Sequence, residues 1–181
     1  MSALAWGRLT IAATAVGLVA LAVGGSFVLF SPTTVVMIVR HAERAAEPRD
    51  DPPLTTEGNT RARMLVHVAG QAGVSAIFAT EFVRTQQTVA PLATQLNIGV
   101  TAIPQADVNG LVAQIRALRG ATILVAGHTH TIPDIIVGLG GPAPGTITEP
   151  EFDNFFVVIL PRFGSARVVR LRYGEPPPPP P

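Results

Sequence analysis

A few histidines and arginines are the residues of this 181-residue chain with the means to do chemistry. Arg40-His41-Ala42-Glu43-Arg44 follows an apolar run, Val35-Val36-Met37-Ile38-Val39. Gly127-His128-Thr129-His130 follows a second run, Ile123-Leu124-Val125-Ala126. Between them, Ala79-Thr80-Glu81-Phe82-Val83-Arg84-Thr85 follows a short stretch ending at Phe78. An imidazole changes charge near neutral pH. A guanidinium is a planar fork suited to carboxylate or phosphate. A His flanked by arginines is therefore placed to meet an anion. Each group alone also reads as a charged exit from a strand. Three cation-capable groups, Arg40 with His41, Arg84 and His128, each at the end of a strand, favour an anion site.

The elements that must position these groups are legible as periodicities. The first run is β-branched and apolar on both sides of the chain, the pattern of a strand buried on both faces. Thr55 or Thr56 caps an expected helix over 57–70, with Ala62, Leu65, Val66 and Ala69 on one side. Ser75 to Phe78 reads as a short strand and Glu81 to Leu96 as a helix that Pro91 should kink or split. Val100 to Ile103 is a strand candidate. Val108, Leu111, Val112, Ile115 and Leu118 form an amphipathic stripe. Thr122 to Ala126 is the second buried strand. Ile132 to Leu139 is a helix with Pro133 in its first turn. Phe155 to Leu160 and Arg167 to Arg172 close the pattern as a strand pair. Strands alternating with helices predict an α/β fold, a three-layer α/β/α sandwich with a mostly parallel sheet. Ligands in such sheets bind at the carboxyl ends of the strands, and parallel strands put those ends on one side.

The ordered set of motifs resembles the histidine phosphatase superfamily, also called phosphoglycerate mutase-like, in its small bacterial phosphatase branch. Val39-Arg40-His41-Ala42-Glu43 is similar to its Arg-His signature and Leu54-Thr55-Thr56-Glu57-Gly58 to its helix-opening segment. Thr80 to Thr88 is similar to its Arg-bearing segment with the following Gln and Thr, and Val125 to Thr131 plus Pro133 to its second-histidine segment. The resemblance covers nearly all of the chain beyond residue 30. It implies a metal-independent phosphatase in which His41 is the nucleophile and a phosphohistidine forms. Arg40, Arg84 and His128 then surround the phosphoryl oxygens. Arg44 is either a fourth clamp or a solvent-facing loop residue. No cofactor is implied. The Glu-Arg-His-Tyr-Gly-like segment of true mutases is missing, which argues against mutase activity.

The proton donor is open. Asp107 stands where many family members carry an acid, and it is equally a helix N-cap. Glu81 and Glu43 are the alternatives. His67 reads as a helix residue and His130 as a pocket-rim residue. A metal held by His41, His128 and His130 lacks carboxylate partners and a suitable spacing.

Composition sets the rest. The 22 residues from Leu9 to Phe30 carry no charge. That length suffices for the ~30 Å hydrocarbon core of a bilayer, and it accounts for a mean hydropathy of +0.40. Residues 1–30 are read as a membrane anchor, with a signal cleaved near Ala20-Leu21-Ala22 as the alternative. Arg8 before the span favours a domain on the extracytoplasmic side. Residues 31–174 form the phosphatase-like domain, and 175–181 a polyproline tail. There is no cysteine, so no disulfide and no thiolate chemistry. All 13 basic residues are Arg, and the net charge of +1 gives no nucleic-acid footprint. The expected function is a phosphomonoester hydrolase acting on a phosphorylated small molecule or phosphoprotein. The rival is a non-catalytic, membrane-anchored protein that binds a phosphorylated ligand or acts as a scaffold.

Overall fold

The computed structural model describes residues 32–176. The expected membrane span at 9–30 and nearly all of the proline tail lie outside them. Among the described residues no helix is long and apolar enough to cross a membrane.

Ten elements follow one another: β1 (Thr34–Arg40), α1 (Thr56–Ala69), β2 (Val74–Thr80), α2 (Val83–Leu96), β3 (Val100–Ile103), α3 (Val108–Ala117), β4 (Thr122–Gly127), α4 (Thr131–Gly138), β5 (Asn154–Leu160) and β6 (Arg167–Arg172). They build one six-stranded sheet in the order β3-β2-β4-β1-β5-β6. β3, β2, β4 and β1 run parallel, and β5 and β6 join antiparallel. The sheet is therefore mixed.

The apolar run of β1 follows from its place in the sheet. Val36 and Ile38 face one layer, with Leu111 and Ile115 of α3 and Ile132, Ile135 and Ile136 of α4. Met37 and Val39 face the other, with Leu65 and Ala69 of α1 and Val89 and Leu92 of α2. Both faces of the strand are covered, so no polar alternation survives. Each such buried aliphatic side chain contributes roughly 1.5–3 kcal/mol. The same two layers explain the helical stripes. Pro91 does not split α2, which runs unbroken from Val83 to Leu96. Val89, Leu92 and Ala93 are all buried around it, so core packing holds the helix where propensity opposes it.

The outer strand β6 carries its polarity at the edge. Arg170 and Arg172 pair with Glu151, and Arg172 also with Asp153. Charge along an edge strand discourages pairing with another chain.

Candidate active site

Register brings the motifs together. Arg40 of β1 lies opposite Gly127 of β4, and Ala79 of β2 opposite Ala126. Three neighbouring parallel strands thus end at one level. The next residues, His41 and His128, leave the sheet side by side, with ring centroids 5.3 Å apart. The His41 amide donates to the Gly127 carbonyl at 2.9 Å and fixes this exit. Arg40, His41 and His128 are all nearly inaccessible, at 2%, 4% and 3% exposure.

Hydrogen bonding sets the state of His41. Its Nδ1 lies 2.8 Å from the Ala42 carbonyl. A carbonyl only accepts, so Nδ1 carries the proton and Nε2 is left with its lone pair. Burial pushes the ring down to about 4, against the pull of the Ala42 bond and helped by Arg40, Arg84 and Arg44. His128 shares a 2.9 Å hydrogen bond between Nε2 and the Thr80 hydroxyl, which in turn bonds Thr85. Burial, then His41 and Arg84, lower His128 to about 3. Both rings are neutral near pH 7, so the positive charge of the site comes from arginine.

These neutral rings make stability depend on pH. Below about 6.5 the unfolded chain takes up protons that the folded chain refuses until about 4 at His41 and about 3 at His128. Their contribution is complete above pH 6.5 and is lost as the pH falls through that window. Denaturant unfolding at pH 4.5 is expected to show a loss attributable to His41 of roughly 2–3 kcal/mol relative to pH 7. A His41→Ala chain should lose correspondingly less. Identical pH slopes for the two chains would contradict a neutral buried His41.

The arginines surround a cavity of about 260 Å³ that His41, Arg44, His128 and His130 also line. Arg40 lies over the Phe152 ring at 4.2 Å, and Arg84 over Phe82 at 4.2 Å. The Nε groups of Arg40 and Arg84 are buried and have no partner among the described residues. A buried donor without an acceptor is costly. Three guanidinium groups around a cavity that also holds an unprotonated imidazole suit a bound oxyanion. Arg44 is exposed but lines the same cavity. Its backbone bridges Leu54, which holds the intervening loop closed.

α2 fixes the His41 loop from behind. Thr88 accepts from the Ala42 amide at 2.9 Å, and Gln87 from the Leu54 amide at 2.8 Å. Arg84 lies one turn before them. α1 approaches closely at Gly58, where any Cβ would overlap the Glu43 carbonyl oxygen. Thr55 caps that helix by accepting from the Gly58 amide at 3.1 Å.

The histidine phosphatase superfamily (branch 1) model matches residues 36–109, the span from β1 through the start of α3. The structure of the protein histidine phosphatase SixA complexed with tungstate is 25% identical, with a TM-score of 0.63 over 76% of this chain and 96% of that one. Over these residues the chain is similar to the histidine phosphatase superfamily. Two further structures share the fold. A mycobacterial glucosyl-3-phosphoglycerate phosphatase is 14% identical, with a TM-score of 0.61 over 78% of this chain and 98% of its own. Bacillus stearothermophilus YhfR is 12% identical, with a TM-score of 0.56 over 69% and 90%. No curated protein matches the sequence.

Against the superfamily's Arg-His signature, the sequence-predicted residues sort clearly. Arg40, His41, Arg44, Arg84 and His128 line one cavity. The three candidate proton donors do not. Asp107 accepts from the Gly110 amide at 2.8 Å as the N-cap of α3. Glu81 accepts from the Gln105 amide at 2.7 Å. Glu43 is bound to Arg61, with contacts down to 2.7 Å. His130 stacks on His128 at 5.8 Å and lies 2.6 Å from the Gln105 amide nitrogen, at the rim where the sequence put it.

Two residues of the cavity region were missed. The loop between α4 and β5 brings Glu149 to Arg40, with its carboxylate 2.8 Å from Nη2. It also brings the Phe152 ring to within 5.9 Å of the His41 ring. The only sequence signal was a carboxylate and an aromatic just before a buried strand.

Proposed function

We propose that this protein is a phosphomonoester hydrolase that carries the phosphoryl group on His41 and requires no metal. The observation that carries this reading is the unprotonated Nε2 of His41 in a cavity lined by Arg40, Arg44, Arg84 and His128. The His41 nitrogen attacks phosphorus, and the phosphorus–oxygen bond to the alcohol breaks, its electron pair leaving with that oxygen. Water then attacks the phosphohistidine, and the nitrogen–phosphorus pair returns to the ring. Phosphoryl transfer asks mainly for positioning and for charge around the equatorial oxygens. Arg40, Arg84 and Arg44 supply the charge as guanidinium forks, and neutral His128 supplies a ring nitrogen. SixA binds tungstate, an oxyanion of phosphate-like shape, which supports an oxyanion in the same cavity here.

The rival reading, a binding protein that does no chemistry, shares the arginine cavity but needs no free imidazole nitrogen. The full chain is expected to release phosphate from para-nitrophenyl phosphate at pH 5 to 7.5 in the presence of a chelator. Phosphate binding without any release would establish the rival instead.

A further inference from the structure

On the reading that this site is a phosphatase, we propose that Glu149 is its proton donor to the leaving alcohol. In-line displacement requires the leaving oxygen to lie opposite the attacking nitrogen. His41 is buried in the cavity wall, at 4% exposure. The leaving group therefore faces the mouth. Two carboxylates line this cavity, Asp50 and Glu149, and Glu149 is the one bonded to an arginine of the clamp. Asp51, which reaches Arg84 at 3.5 Å, is held by two contacts from the Val83 amide.

The backbone and side chain of Glu149 are built for different tasks. Arg40 Nη1 donates to the Glu149 carbonyl at 2.6 Å and to the Thr148 carbonyl at 3.2 Å. Glu151 locks the loop further, accepting from the Thr148 amide at 2.7 Å and from Arg172 at 2.7 Å. The backbone is thus pinned to the clamp. The Glu149 side chain is 78% exposed and free to change partners. A phosphoryl dianion that takes over Arg40 Nη2 frees the Glu149 carboxyl group from that pair. The acid then stands at the mouth, next to the leaving oxygen. As the phosphorus–oxygen bond breaks, the oxygen's electron pair takes the Glu149 proton, leaving a carboxylate. In the second half-reaction the carboxylate accepts a proton from the attacking water and the cycle closes.

Glu149→Gln tests the assignment in the full chain. Glutamine keeps the size of the side chain and an oxygen to accept from Arg40, and the backbone bonds are untouched. An alkoxide needs a proton to leave and a nitrophenolate does not. With β-glycerophosphate, kcat/KM is expected to fall about 10²-fold. With para-nitrophenyl phosphate the loss should be at least tenfold smaller, because general acid assistance contributes little there. Equal losses on both substrates would mean that Glu149 only positions Arg40, and no loss on either would mean that it does neither; both overturn the proposal and leave the phosphatase reading intact. A wild-type chain that hydrolyses neither substrate overturns both.

Discussion

Replacing His41 with alanine should reduce turnover of para-nitrophenyl phosphate by roughly 10³-fold or more, the scale seen when a covalent nucleophile is removed. The expectation follows from the tautomer. With Nδ1 donating to the Ala42 carbonyl, the lone pair of Nε2 is available at every pH above about 4, the value to which burial pushes the ring. The other two histidines lining the arginine cavity have Nε2 engaged, His128 with the Thr80 hydroxyl and His130 with the Gln105 side-chain amide. The ring of His41 packs on His128 and Phe152 but bonds only its own neighbour, so its removal opens space without stranding a distant polar group. Near-UV circular dichroism should therefore match wild type. The direct readout is covalent: quenching wild type during turnover without acid and mapping the phosphoryl group by mass spectrometry should place it on His41. A phosphoryl group on His128, or full activity in the alanine variant, would remove His41 from the role.

What the sequence showed of this site depended on how locally each part is encoded. β1 was legible because a strand covered on both faces needs an unbroken apolar run, and Val36 to Val39 have one. His41 and His128 were legible for the same reason, as polar residues directly after such runs. Arg84, Gln87 and Thr88 share one face of α2, so their joint task against the His41 loop follows from helical spacing. Asp107 was ambiguous because a carboxylate before a helix serves equally as cap or acid; the structure shows the cap. Glu149 was invisible because its meaning comes from Arg40, 109 residues earlier. No periodicity reports a contact of that range. Pro91 misled in part: the local rule predicted a kink or a split, and with its neighbours buried α2 is not split.

Arg61 shows the same long-range logic at larger energetic scale, and its loss should cost up to about 3 kcal/mol, below the range for a fully buried ion pair because Glu43 is 23% exposed. It sits in α1 at 6% exposure. Its Nε lies 2.9 and 3.0 Å from the two Glu43 oxygens, and Nη2 is 2.7 Å from one of them. The remaining donors reach the carbonyls of Tyr173 at 2.8 Å and Glu175 at 2.9 Å. One side chain therefore ties the segment after β6 to a residue two positions after His41. Arg61→Met keeps the apolar stem but strands the Glu43 carboxylate and two carbonyls. Urea unfolding should show the loss as a lower midpoint. Arg63→Met, on the exposed side of the same helix, should stay within about 0.5 kcal/mol of wild type. Replacing Glu43 together with Arg61 should restore part of the stability, because no buried charge is then left alone. Equal stabilities for the Arg61 and Arg63 variants would show that the clip contributes nothing. The clip also predicts a second-order effect: with Glu43 released, the loop carrying His41 loosens, so activity of Arg61→Met at a temperature where it remains folded should fall while His41→Ala has nothing left to lose.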